Sequence, residues 1–206
     1  VVETFHSLQG EGLHAGRSAF FIRLAGCSVG CPWCDTKSSW PVDAHPTVAV
    51  TTLAEQARQA QVDGAAFTVI TGGEPLHHNL DALCQALDVA SAGLPIHLET
   101  SGVDPLSGRF DWITLSPKRH RPPRQQALAA CQELKVVVGE RDDLAFAEAM
   151  ASAANQAGRP ASSAPPILSL QPLWDSAAGQ ELAIAHVRQD PRWRLSLQSH
   201  KWLGVR

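Results

Sequence analysis

Short apolar runs of strand length recur along this chain, and each breaks off into a polar or glycine-bearing tail. Residues 18–24 (S-A-F-F-I-R-L) lead into a cysteine loop, and 67–70 lead into Thr71-Gly72-Gly73-Glu74-Pro75. Residues 96–98 end in Glu99-Thr100-Ser101-Gly102, and 112–115 end in Ser116-Pro117-Lys118. Residues 133–138 stop at Gly139, 167–170 stop at Gln171-Pro172, and 193–197 precede Gln198-Ser199-His200-Lys201. Near-continuous apolar runs imply strands buried on both faces, as in a parallel sheet covered by crossover helices. Helical spacing falls between them: at 52–60, where Thr52 and Glu55 match a capping box, at Leu80, Leu83, Cys84 and Leu87, at Leu144, Ala147, Ala151 and Ala154, and at 178–188. Crossovers are right-handed, so successive units curl one way. The predicted fold is therefore α/β: a partial, incomplete parallel βα barrel of about six strands with fewer helices, binding ligands at its C-terminal strand ends. Residues 37–50, punctuated by Pro41 and Pro46, read as a loop, and 103–110 and 119–130 read as irregular. The 206 residues are expected to form a single domain, 1–206.

The chemistry concentrates in Cys27-Ser-Val-Gly-Cys31-Pro-Trp-Cys34-Asp35-Thr36. Three cysteines spaced by three and then two residues bring three thiolates to one inorganic centre. Four would close a 4Fe-4S or structural zinc site, so three leave one position open. The chain has five cysteines, an odd number, and shows neither a leader of the charged-then-apolar kind nor a membrane-length apolar run. A metal site is thus favoured over a disulfide framework, and the cytoplasm is the expected compartment. Cys84 and Cys131 read as small buried hydrophobes. A net charge of −3 gives no sign of a nucleic-acid or membrane surface.

Gly26 and Gly30 permit the tight turns that wrapping a centre requires, and Trp33 either packs or shields that centre from water. Gly72 and Gly73 let a ligand approach the strand-end backbone. Arg23 interrupts its apolar run; a guanidinium there either snorkels from the strand end or meets an anion. Gln9-Gly10-Glu11-Gly12 reads by periodicity alone as a solvent loop.

The CxxxCxxC motif with Trp33 before its last cysteine, followed downstream by Gly72-Gly73-Glu74-Pro75, resembles the radical S-adenosylmethionine (SAM) superfamily. Ser7 to Gly12, Arg23 to Cys27 and Cys34 to Lys37 are similar to the 7-carboxy-7-deazaguanine synthase (QueE) family of queuosine-precursor biosynthesis. Thr71 to Pro75, Glu99 to Gly102, Leu115 to Lys118, Leu170 to Pro172 and Ser196 to Lys201 fit the same family in the same order, so the resemblance spans nearly the whole chain. No family pattern is evident in 38–66 or 119–132.

The resemblance implies a radical SAM lyase that converts 6-carboxy-5,6,7,8-tetrahydropterin to 7-carboxy-7-deazaguanine with loss of ammonia. It implies a 4Fe-4S cluster on Cys27, Cys31 and Cys34, with SAM chelating the open iron and being regenerated after each turnover. By the same resemblance Gly72, Gly73 and Glu74 hold the SAM amine. Ser101, Ser116, Lys118 and Gln171 contact its carboxylate, ribose or adenine. Leu8, Gln9 and Gly10 bind the pterin, Arg23 pairs with the substrate carboxylate, Thr71 touches substrate and His200 closes the pocket. Thr36 resembles a Mg²⁺ ligand, with a plain helix cap as its alternative. An external one-electron donor of flavodoxin or ferredoxin type and a homodimer are also implied. Two other readings compete. One is a different small radical SAM enzyme such as a glycyl-radical activase. The other is a non-catalytic metal-binding protein, for which Asp35 or a distant histidine would be the fourth ligand.

Overall fold

The computed structural model describes residues 1–159 and 164–205. Arg206, at the end of the C-terminal tail, lies outside them. Strand β1 (Glu3–Leu8) runs antiparallel to β2 (Ser18–Leu24). From β2 onward each strand pairs in parallel with the next: β3 (Thr68–Gly72), β4 (Ile96–Thr100), β5 (Trp112–Leu115), β6 (Glu133–Val138), β7 (Ile167–Pro172) and β8 (Trp193–Leu195). The result is one open sheet in strict sequence order. It holds eight described strands rather than about six: all seven apolar runs pair, and β1 joins through a short antiparallel hairpin that carries no helix. Helices α1 (Val50–Val62), α2 (Asp81–Ala90), α3 (Gln125–Ala130), α4 (Arg141–Gln156) and α5 (Ala177–Gln189) occupy connections between parallel strands. A short α6 (Ser199–Leu203) ends the described chain.

The strands alternate cleanly between two faces. Ile22, Leu24, Ile70, Leu98, Leu115, Leu134, Val136 and Leu170 pack with the helices into the main core. The opposite face begins apolar, with Ala19, Phe21, Phe67 and Val69 as a small second cluster. It then turns polar through the buried His97, Thr114, Glu133, Lys135, Ser169 and Gln171. The strands are thus shielded on both faces, as their composition implied, but the concave face is lined with hydrogen-bonding and charged groups.

Several local expectations are corrected. Helix α1 starts at Val50 with Ala49 as its cap, and no side chain caps it. Thr52 and Glu55 therefore form no capping box; Glu55 instead accepts two bonds from Arg58, one turn further on. Helix α3 occupies the end of the stretch read as irregular, since Pro122-Pro123 stops only its N-terminal side. The 37–50 segment contains two single 3₁₀ turns, Lys37–Ser39 and Val42–Ala44. Strand β8 ends at Leu195, two residues early, because Ser196 turns inward to donate to Gln171.

Candidate functional site

The cysteine loop follows β2 without regular structure and is held by main-chain bonds. The Gly26 N–H donates to Ser39 (2.7 Å), that of Cys27 donates to Trp40 (3.1 Å), and that of Glu74 donates to the Gly26 carbonyl (2.9 Å). This last bond ties the cysteine motif to the Gly-Gly-Glu turn that ends β3. A Cβ on Gly73 would lie 2.3 Å from the Gly26 oxygen and 2.9 Å from the Cys27 Cβ. One on Gly72, whose φ is +139°, would lie 2.1 Å from the Leu24 oxygen. The approach that demands Gly73 is thus made by the cysteine loop itself, and the one at Gly72 by the end of β2.

Glu74 is buried, and its carboxylate is bonded within the protein. It accepts from the Leu76 N–H (3.1 Å), the Thr100 hydroxyl (2.5 Å), the Ser101 N–H (2.8 Å) and the Ser101 hydroxyl. Four such bonds stabilise the buried charge and splice the end of β3 to the end of β4. At the end of β5, Lys118 donates to the Ser116 hydroxyl (2.7 Å). Burial holds the Lys118 ammonium below its ordinary pKa, while Cys31 pulls it the other way.

All these strand ends face one cavity of about 520 Å³, lined by Cys27, Cys31, Cys34, Gly72, Gly73, Glu74, Ser101, Ser116, Lys118 and Gln171. Trp33 lies on its wall with its ring edge-on to His120. A second cavity of about 220 Å³ is lined by Leu8, Gln9, Gly10, Arg23, Thr36, Thr71 and His200. The two share Glu11, Asp35, Thr71, Gly72 and Glu99. The site residues picked from the sequence therefore gather in two adjoining chambers.

Their surroundings differ from expectation at four points. Gln9-Gly10-Glu11-Gly12 is no solvent loop: Gln9 is buried and donates to Glu99 (3.2 Å), and the Gly12 N–H donates to Ser196 (2.9 Å). Arg23 meets its anion within the protein, donating to Glu3 (3.0 Å), its cross-strand neighbour on β1. Thr36 precedes a 3₁₀ turn but makes no side-chain capping bond, so the cap alternative fails. Asp35 accepts from Lys201 (2.6 Å), linking the cysteine loop to α6.

His200 seats its ring against Gly10, where a Cβ would come within 2.1 Å of Nδ1. The Ser199 N–H donates to the Gly10 carbonyl (2.9 Å), and Gln198 donates to Glu11 (2.8 Å). The tail after β8 thereby bridges the opening between the two edges of the sheet. Burial lowers the His200 pKa below its ordinary value.

Sequence reasoning missed the charged cluster at the junction. Lys135 is buried in β6 and donates to Glu11 (2.5 Å) and Glu99 (3.0 Å). Burial would raise the Glu11 pKa, yet Lys135 brings it down to about 2. Burial outweighs Lys135 at Glu99 and leaves that carboxyl above its ordinary value. For Lys135 itself, burial is the largest influence and opposes the charge, but Glu11 and Glu99 together hold the ammonium well above its ordinary pKa. The available signal was a lysine inside the apolar run E-L-K-V-V-V, the same anomaly that marked Arg23.

The three loop thiols suit a metal centre with an open position. Burial raises the pKa of both Cys27 and Cys31, and neighbouring thiols add to it, so a bound cation would be needed to keep these two ionised. Cys84 and Cys131 are buried in the core away from this cavity, with thiol pKa values pushed up to about 11 by burial.

A profile of the Radical SAM superfamily matches residues 21–118. The whole chain is 55% identical to a 7-carboxy-7-deazaguanine synthase from Prochlorococcus marinus, covering 97% of that protein. It is 50% identical, again over its whole length, to a namesake from Synechocystis sp., covering 93% of it. A crystal structure of QueE from Escherichia coli is similar in fold, with a TM-score of 0.74 and 32% identity over 96% of this chain and 92% of that one.

Proposed function

The chain belongs to the 7-carboxy-7-deazaguanine synthase family of radical SAM enzymes, and from that premise we propose how its residues divide the work. It is a radical SAM lyase that contracts 6-carboxy-5,6,7,8-tetrahydropterin to 7-carboxy-7-deazaguanine with loss of ammonia. What supports the division is the meeting of three thiols and four strand ends in one chamber that adjoins a second one.

Cys27, Cys31 and Cys34 would hold the 4Fe-4S cluster through three of its irons, leaving the fourth for SAM. When bound, cluster and SAM supply one-electron reduction and hydrogen-atom abstraction. The protein's own work is to bind, orient and exclude water. Gly72, Gly73 and Glu74 would offer the amine of SAM a strand-end backbone and a buried negative charge. Four internal bonds on Glu74 mean that it also fixes Thr100 and Ser101 in place. Ser101, Ser116, Lys118 and Gln171 would take the carboxylate, ribose and adenine, with the Lys118 ammonium matching the carboxylate.

The smaller chamber would take the pterin. Leu8, Gln9, Gly10 and Thr71 would line it, and His200 would close it. Arg23 would face the substrate carboxylate while Glu3 holds its Nε. Glu11 and Glu99 are carboxylate acceptors suited to the ring's N–H donors, and Lys135 keeps both in place. Thr36 would supply one oxygen to a Mg²⁺ that draws its remaining ligands from substrate and water. A flavodoxin- or ferredoxin-type electron donor, a homodimer and a cytoplasmic location complete the reading on the family resemblance. Among the described residues no helix is long and apolar enough to cross a membrane.

The test is anaerobic incubation of the reconstituted, reduced protein with SAM, the carboxytetrahydropterin and Mg²⁺. Formation of 7-carboxy-7-deazaguanine without net loss of SAM is expected. Cleavage of SAM without that product would overturn the substrate assignment. A colourless protein carrying one zinc would overturn the enzyme reading altogether.

A further inference from the structure

Three imidazoles reach the first half of the cysteine loop, and one of them behaves differently from the others. His78 Nε2 meets the Ala25 carbonyl (2.7 Å) and His120 Nε2 meets the Val29 carbonyl (3.1 Å), so both must donate. His77 Nε2 instead receives the backbone N–H of Ser28 (3.0 Å), the residue after Cys27. A neutral imidazole that accepts at Nε2 carries its proton on Nδ1. That proton points at Asp104, whose carboxylate is hydrogen-bonded to His77 Nδ1. Asp104 thereby fixes both the tautomer and the ring orientation. His77 ends the 3₁₀ turn that begins at Pro75 of the Gly-Gly-Glu-Pro stretch, so the pair ties the cysteine loop to the ends of both β3 and β4.

The Ser28 hydroxyl also lies 3.1 Å from His77 Nε2, which gives the order of a Ser–His–Asp triad. That nitrogen already holds the Ser28 N–H, however, and Arg121 holds the same hydroxyl (3.0 Å). An acceptor committed to a main-chain donor is poorly placed to serve as a general base. The arrangement suits holding rather than hydrolysis.

We propose that His77, oriented by Asp104, is a positioning residue that fixes the Ser28 amide and so holds the Cys27 end of the loop in its metal-ready shape before metal arrives. The proposal rests on reading 27–34 as the cluster loop, but its main readouts need no cluster. In metal-free protein, His77→Leu should speed hydrogen exchange at the Ser28 amide and alkylation of Cys27 about tenfold, the effect of one lost net hydrogen bond on a local opening. The global urea midpoint should fall by no more than the loss of that single hydrogen bond requires, with the transition still cooperative. His77→Gln, whose side-chain oxygen can accept the same N–H, should restore both rates to within about twofold of native. After reconstitution, His77→Leu should lose iron to a chelator several-fold faster than native or His77→Gln.

Native-like exchange and alkylation in His77→Leu would overturn the proposal, as would equal acceleration in His77→Leu and His77→Gln. Should His77→Leu fail to fold, Asp104→Ala on its irregular, part-exposed segment decides instead. Accelerated exchange at Ser28 supports the pair, and native exchange refutes it. A native protein that takes up no iron would refute the functional reading while leaving the metal-free measurements valid.

Discussion

Replacing Lys135 by Met keeps the volume and apolar stem of the side chain and deletes its charge. In the folded protein that charge sits 2.5 Å from Glu11 and 3.0 Å from Glu99 in a largely dry junction. Its largest countable consequence is at Glu11, where Lys135, helped by Gln198 and His200, overcomes burial. A fall in carboxyl pKa from 4.5 to about 2 corresponds to roughly 3 kcal/mol of preference for the ionised, paired state. Removing one partner of a buried pair typically costs about 3–5 kcal/mol, because the opposite charge is left without compensation. We therefore expect Lys135→Met to lose about 3–5 kcal/mol at pH 7.5 by urea denaturation of metal-free protein.

The pH dependence gives the reasoning its sign. In the native protein the depressed Glu11 contributes stability that is full above 4.5 and is lost as pH falls through about 2. Glu99 is raised, so its ionisation already opposes folding above its unfolded pKa. Without Lys135 both carboxyls should be raised, and the variant should gain more stability than native as pH falls from 7.5 to about 5. The gap between the two should shrink accordingly. A deficit below about 1 kcal/mol at pH 7.5 would refute the argument. So would a deficit that does not change with pH.

Gly73→Ala should displace the cysteine loop, since the added Cβ would meet the Gly26 oxygen at 2.3 Å; iron and sulfide per chain should fall well below native after reconstitution, and native loading would contradict the packing. Cys31→Ala should abolish both the cluster's visible absorbance and SAM cleavage, and cleavage that persists would refute the ligand assignment. Arg23→Ala should raise KM for the pterin by about 10- to 100-fold, as expected for a charge-assisted bond of roughly 1.5–3 kcal/mol. An unchanged KM would leave Arg23 with only its structural bond to Glu3.

The parallel strands and the cysteine motif were legible because they are written in contiguous residues. Apolar composition marked β2 to β8 to within a residue or two at most ends, and strand-end glycines marked the mouth of the site. Helix α3 was less legible, since six residues after a Pro-Pro pair give too short a period to detect. The capping box at Thr52 and Glu55 failed for the opposite reason: a good local pattern lost to the point where α1 begins. The Gln9–Gly12 stretch looked like solvent because its partners, Glu99, Lys135, Ser196 and Gln198, are all far away in sequence.

What the sequence alone determined is the set of local elements and the pairing of a three-cysteine loop with a Gly-Gly-Glu-Pro strand end downstream. Spacing along a chain is enough to bring groups together across a few residues. Which charges meet was decided only by the tertiary structure. Lys135 reaches Glu11 across 124 residues, and His77 reaches Ser28 across 49. Such pairs leave no periodic trace, because the strand order brings them together; at Lys135 burial, by removing water, also makes the contact strong.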